Sequence, residues 1–381
     1  MKGSICAVLA ATAVAVSCKK QETVNPSLVT STVEVMLGNP TTKAFGDGTT
    51  ETWEKTVNNV TMYVYETSGT DKDVCVYHHQ FTAFEVAQGK AVFTIENIKA
   101  NTDYDFYALA NCASTKLEGP LTRPQLEAEI EGVDGSTSPY GALGAYNDTD
   151  FSKVVGAAHR NDGDNKGFLM TGKETKRTPA AGANIPTRVT VPLKRTVAKV
   201  AIKAALTDVF YAANKYPAQS TLTITKVELV NLAKKTTLMP STNPIIDLRQ
   251  DPLMQKTNVV AKGAGKYDQF QNLFYIYENG VLGGALADAN KPVLKLYAEF
   301  DFDGQPGTVP NDVSKFVYTI KLAGEAGDVT DPTAANFGLF VRNGNYIIDV
   351  KINGLTETEV VAEIKVMDWE GPKYQTVNIG D

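Results

Sequence analysis

Residues able to carry covalent or acid–base chemistry are scarce in this chain. Its 381 residues include three His and four Cys. His78 and His79 are neighbours at the end of a strand-like segment, where successive side chains point to opposite faces, so they cannot share a metal ion. His159 stands alone before Arg160 in a loop-like stretch. Glu299, Asp301 and Asp303 are spaced like the opening of a calcium loop, but the twelfth position is Pro310 where that geometry needs a bidentate Glu. The segment reads instead as a strand running into a turn, and Asn161 to Asn165 as a turn-rich loop. No Gly-x-Ser-x-Gly elbow, phosphate-binding loop or His-Glu-x-x-His is present. The expectation is therefore no catalytic residue, no metal and no cofactor: not an enzyme.

Cysteine chemistry points elsewhere. Met1-Lys2 is followed by an apolar run of about a dozen residues, too short to cross a bilayer as a helix. It ends in Ala15-Val16-Ser17-Cys18, which has the form of a lipoprotein export signal with Cys18 as the lipidated residue. The segment after it, Gln21 to Ser27, reads as a tether. Cys75 and Cys112 remain in the exported protein, either as a disulfide or as two separate thiols.

The elements that would position any site are strands. Tyr and Phe number 16 and 15, and Gly 30, which suits a turn-rich β protein. Ser31 to Leu37 alternates, with Val33, Val35 and Leu37 on one face. Strands are also expected at 59–66, 74–79, 91–95 and 104–110, with 90–111 forming an antiparallel pair. A helix is expected at 123–131, with Pro124 in its first turn and Leu126 and Ile130 on one face. Beyond a Pro/Gly/Ala-rich stretch from Thr178 to Pro186, strands resume at 188–193, 196–204, 221–232, 272–277, 293–302, 315–322, 346–352 and 359–369. The pattern is all-β: two β-sandwiches in tandem with minor helices. Their bounds are 44–186 and 187–381, after a signal at 1–18 and a leader at 19–43. With 37 Lys plus Arg against 43 Asp plus Glu, the formal charge of −6 argues against a nucleic-acid partner.

The residues Thr42-Lys43-Ala44-Phe45-Gly46-Asp47-Gly48 and Val60 to Tyr65 resemble the start of mature fimbrillins, the major shaft pilins of type V fimbriae. The likeness continues in order through Gly167 to Thr171, Leu193 to Val200, Leu273 to Asn279, Arg342 to Val350 and Trp369. What the resemblance implies is a pair of transthyretin-like sandwiches in a lipoprotein precursor, anchored at the outer membrane. A trypsin-like protease then cuts at Lys43-Ala44, where the family more often has Arg. The cut releases the first strand, and a neighbouring copy's C-terminal strand takes its place. On this reading the displaced strand carries Val33, Val35 and Leu37. The donor strand carries Tyr374, Gln375, Val377 and Ile379, beyond Gly371-Pro372, or begins earlier, near Ile364. Burying three such leader side chains is worth on the order of 4 to 9 kcal/mol gross. The implied partners are further copies of the chain, accessory tip and anchor pilins, the processing protease and, before cleavage, the outer membrane. The implied role is a fimbrial subunit supporting adhesion at the cell surface. The alternative is a non-polymerising surface lipoprotein that binds glycan or host protein.

Overall fold

The computed structural model describes residues 28–38, 57, 59–81, 90–111, 117–132, 168–180, 187–212, 216–242, 247–248, 252–261, 271–281, 286–305, 313–326, 334, 336–356 and 360–368. Cys18, Lys43, Ala44, Cys112, His159, Asn161 to Asn165, Tyr374, Gln375, Val377 and Ile379 lie outside the described residues.

The first half comprises β1 (Leu28–Gly38), β2 (Val60–Glu66), β3 (Cys75–Phe81), β4 (Lys90–Lys99), β5 (Asp103–Ala110), helix α1 (Arg123–Ala128), β6 (Ile130–Gly132), β7 (Met170–Arg177), β8 (Thr187–Pro192) and β9 (Lys194–Arg195). These form a three-stranded sheet, β4-β1-β8, facing a five-stranded one, β3-β2-β5-β7-β9. Val60, Met62, Val64, Tyr104, Phe106, Ile98, Val189 and Val191 fill the space between them. The other face of the five-stranded sheet is covered too. Tyr63, Tyr65, Tyr107 and Leu109 pack there against Leu117, Leu126 of α1, Leu238 and Met239. A strand buried on both faces has no polar side to show, which is why β2 (VTMYVYE) is buried at every position.

The second half comprises β10 (Val197–Leu206), a short helix α2 (Asp208–Tyr211), β11 (Thr221–Val230), β12 (Lys235–Thr237), β13 (Leu253–Ala261), β14 (Gln271–Tyr277), β15 (Val293–Asp301), β16 (Val313–Lys321), β17 (Gly344–Ile352) and β18 (Val360–Asp368). Two four-stranded sheets, β14-β10-β17-β18 and β13-β11-β15-β16, enclose the larger core. Here one face is solvated, and β15 shows the expected alternation: Leu294, Leu296, Ala298 and Phe300 point inward.

The sequence expectation of an all-β chain with few helices is met, with three differences of detail. The segment 90–111 is not a hairpin: β4 pairs with β1, whereas β5 pairs with β2 and β7. Asn101, at φ 52°, lets the chain pass from one sheet to the other within Ala100–Thr102. The helix stops at Ala128, and Ile130 opens β6, which pairs with β12 rather than continuing a helical face. Besides β6, four strands were not anticipated: β7 (MTGKETKR), β13 (LMQKTNVVA) and the short β9 and β12 are too polar or too brief for a clear period. Strands on both sides of Pro186 take part in both sheets of the first half. β8 pairs with β1 and β9 with β7, so the sheet partnership changes between Arg195 and Val197.

Candidate assembly site

β1 occupies the middle of its sheet. It runs antiparallel to β4, from Leu28↔Lys99 to Met36↔Lys90, with a register shift between Val29 and Ser31. It runs parallel to β8, from Val33↔Thr187 to Gly38↔Pro192. Residues 33–36 therefore have partners on both sides, 28–32 lie against β4 alone, and 37–38 against β8 alone. Val33 is opposite Phe93 and Thr187, Val35 opposite Ala91 and Val189, and Leu37 opposite Val191. Val189 and Val191 are buried in the core, so the period-two set of the leader occupies core register positions.

The consequence is geometric. β4 and β8 do not pair with each other; each meets this sheet through β1. A vacated β1 position would leave two facing rows of unpaired backbone donors and acceptors above an apolar floor, a template for another strand.

Both ends of the position are fixed by specific contacts. Near Leu28, the backbone N–H of Lys99 donates to the Tyr104 hydroxyl at 2.9 Å, and the Thr178 hydroxyl donates to the Lys99 carbonyl at 2.7 Å. Lys99 Nζ meets Glu66 at 2.6 Å, and this hydrogen bond holds the ammonium above the ordinary lysine range. Near Gly38, β8 crosses β7 very closely. A Cβ added at Gly172 would lie 2.3 Å from the Pro192 carbonyl oxygen and 2.9 Å from Val191 Cγ1. Gly172 and Pro192 also line a cavity of about 300 Å³ with Tyr107, Glu127, Thr171, Lys173, Lys194, Met239 and Pro240. In it the Tyr107 hydroxyl donates to Glu127 at 2.5 Å, and burial raises the phenol's pKa above the ordinary tyrosine range. Lys173 is committed to Asp105 at 3.0 Å, a carboxylate that also receives Arg123 at 2.7 Å. Lys194 is exposed.

The half that carries this position is joined to the other by buried polar groups. Arg342 donates to Glu278 through Nε at 3.0 Å and again through Nη2, and to the carbonyls of Leu238 and Thr237 at 2.9 and 2.8 Å. This fixes the 236–239 segment, whose Leu238 and Met239 cover the five-stranded sheet and whose β12 pairs with β6. Thr171 donates to Leu238 O at 2.8 Å, and the fully buried Arg195 reaches Asn343 Oδ1 at 3.1 Å. Nothing in the one-dimensional pattern marks Arg195, at the end of β9, or Arg342, in the turn before β17, as buried.

The other sequence candidates are structural. His78 Nε2 lies 2.7 Å from Leu117 O, and His79 packs edge-on against Phe81. Asp301 Oδ1 accepts the backbone N–H groups of Asp303 and Gly304, closing the turn after β15. Cys75 is a free thiol whose pKa burial pushes up. Among the described residues no cluster of His, Cys, Asp or Glu could hold a metal ion, and no helix is long and apolar enough to cross a membrane. Ile364 sits in β18 opposite Ile348, at the edge of its own sheet.

Comparison with known proteins agrees with this architecture. The sequence profile of the major fimbrial subunit protein (FimA) family matches residues 31–225. Similar solved structures include the tip fimbrial protein Mfa3 of Porphyromonas gingivalis, at 16% identity and TM-score 0.54 over 90% of this chain and 100% of that one. A fimbrilin (fimA) of Porphyromonas gingivalis W83 matches at 14% identity and TM-score 0.52 over 92% and 98%. A candidate cell adhesion protein of Parabacteroides distasonis matches at 13% identity and TM-score 0.55 over 90% and 98%. At these identities the likeness is one of fold. None of the curated proteins compared matches the sequence.

Proposed function

This chain belongs to the major fimbrial subunit protein (FimA) family, and on that ground we propose that it is a structural subunit of a cell-surface fimbria, supporting adhesion. It is exported as a precursor lipidated at Cys18 and held at the outer membrane. A trypsin-like protease cuts at Lys43-Ala44, the leader with β1 departs, and the C-terminal tail of another copy fills the vacated position. Accessory tip and anchor subunits complete the fibre.

The observation that carries this reading is the place of β1. It ends at Gly38, a few residues before Lys43, and it is the strand through which β4 and β8 are joined. Loss of an edge strand would leave the rest of its sheet paired. Here loss opens the sheet down its middle, so the cleaved subunit is stable only when the position is refilled. Removing residues 1–43 takes Lys2, Lys19, Lys20 and Lys43 against Glu22 and Glu34, so the charge moves from −6 to −8. An acidic shaft stays soluble and does not cling to nucleic acid.

The test uses the purified precursor. Treatment with a trypsin-like protease is expected to give high-mass, SDS-resistant ladders, and Lys43→Ala or deletion after Gly371 to abolish them. Cleaved protein that stays monomeric at every concentration would refute the reading. Sugar binding by the uncut monomer, without ladders, would favour a glycan-binding surface lipoprotein.

A further inference from the structure

We propose a register and a direction for the incoming strand: Val377 takes the position of Val35, Ile379 that of Leu37, and Asp381 emerges beside Lys194 of the accepting subunit. The inference rests on the strand-exchange reading above and goes beyond it by naming the residues that select the donor.

The vacated position has two demanding sites. Those of Val35 and Leu37 lie opposite Val189 and Val191, which are buried at 3% and 0% exposure. The tail Gln375-Thr376-Val377-Asn378-Ile379-Gly380-Asp381 offers two apolar residues at the same spacing of two. A slip of one residue would turn Thr376 and Asn378 to the core register. A slip of two one way sets Asp381 opposite Val191; two the other way sets Gln375 opposite Val189 and carries Ile379 past Pro192. In the remaining register Gln375 falls at the position of Val33, opposite Thr187, where a polar neighbour is already present. Gly380 then coincides with Gly38, so the tail reproduces the leader's own order of two apolar residues followed by glycine.

Direction follows from charge. Run the opposite way with Ile379 at the position of Val35 and Val377 at that of Leu37, the tail would bring Asp381 to the position of Val33. That position is paired on both sides and shares the core register of Val35, so a carboxylate there would lose its water. Run parallel to β8, Asp381 instead lies just past Pro192, alongside Leu193 and Lys194 at the mouth of the 300 Å³ cavity. Lys194 is exposed and makes no ion pair among the described residues. The cavity's other cation, Lys173, is held by Asp105, and its carboxylate, Glu127, is held by the Tyr107 hydroxyl. The mouth therefore offers one uncommitted positive charge to an acidic residue.

Cross-linking of protease-treated full-length precursor tests this. Thr190 is exposed and lies opposite Met36, the position assigned to Asn378. Neighbouring strands are about 4.8 Å apart, within disulfide reach. Thr190→Cys combined with Asn378→Cys should give inter-subunit disulfides in the ladders, whereas Thr190→Cys with Thr376→Cys or Gly380→Cys, and each single variant, should not. Ladders that cross-link best at 376 or 380, or at none of the three, overturn the register while leaving strand exchange intact. Wild-type protein that forms no ladders brings down strand exchange itself, and the register with it. For direction, Lys194→Glu should slow ladder formation a few-fold, the size of an exposed ion pair, and Asp381→Lys in the same chain should restore it. An unchanged rate in Lys194→Glu overturns the assigned direction.

Discussion

Gly172 is the residue at which the assembly position can be loosened without touching it. Its α-carbon lies so close to β8 that an alanine Cβ would sit 2.3 Å from the Pro192 carbonyl oxygen, where real Cβ contacts do not fall below 3.0 Å. Gly172→Ala must therefore push the end of β8 outward by about 0.7 Å, and backbone bonds that begin near 2.9 Å then exceed hydrogen-bonding range. Two or three such bonds between β8 and β1, at about 1 kcal/mol each, together with loosened packing at Val191, give a loss of roughly 2–4 kcal/mol. In urea, with a slope near 2 kcal/mol/M, the midpoint should fall by about 1–2 M. Hydrogen exchange of the β1 amides, Val35 to Gly38 above all, should accelerate more than that of β11 or β15. Gly119→Ala is the internal control: no atom lies within 4 Å of its added Cβ, so stability should not change. A Gly172→Ala protein with wild-type midpoint and wild-type exchange in β1 would refute the argument that β7 clamps β8 against the leader strand.

Two further outcomes follow from buried charge and buried phenols. Glu278→Ala strands the Arg342 guanidinium, whose side chain is 5% exposed, and should cost about 3–5 kcal/mol, whereas Glu278→Leu with Arg342→Met should recover most of it; a single-variant loss below about 1 kcal/mol in thermal unfolding would show that the pair does not join the halves. Burial raises the hydroxyl pKa values of Tyr65, Tyr107 and Tyr318. The folded state thus retains protons that the unfolded state releases above about pH 10, and stability should be level up to that pH and fall beyond it. Absorbance at 295 nm followed alongside circular dichroism checks the sign: ionisation of these phenols in a still-folded protein would contradict it.

Much of the architecture was legible in the chain because it depends on local pattern. Period-two segments such as Ser31 to Leu37 and Val293 to Phe302 alternate because one face of a sheet is buried. Scarcity of His and Cys was enough to set aside metal and thiolate chemistry as expectations, and the ordered fimbrillin-like motifs from Thr42 to Trp369 pointed to the family. Other features were not legible because they depend on which distant segments meet. The alternation of Lys90 to Asn111 is the same whether its two strands pair with each other or with strands in opposite sheets. The polar run of β7 becomes a strand only because β5 provides a partner along its whole length. Arg195 and Arg342 are charged residues that sequence alone would leave in water. The contact between the two halves buries them and supplies the carbonyl, amide and carboxylate partners that make burial tolerable. Above all, the sequence marked Val33, Val35 and Leu37 as one face of a strand. That the strand lies between β4 and β8, and not at an edge, is a matter of chain topology: parallel pairing with β8 joins residues some 150 positions apart, and no local periodicity encodes such a pairing.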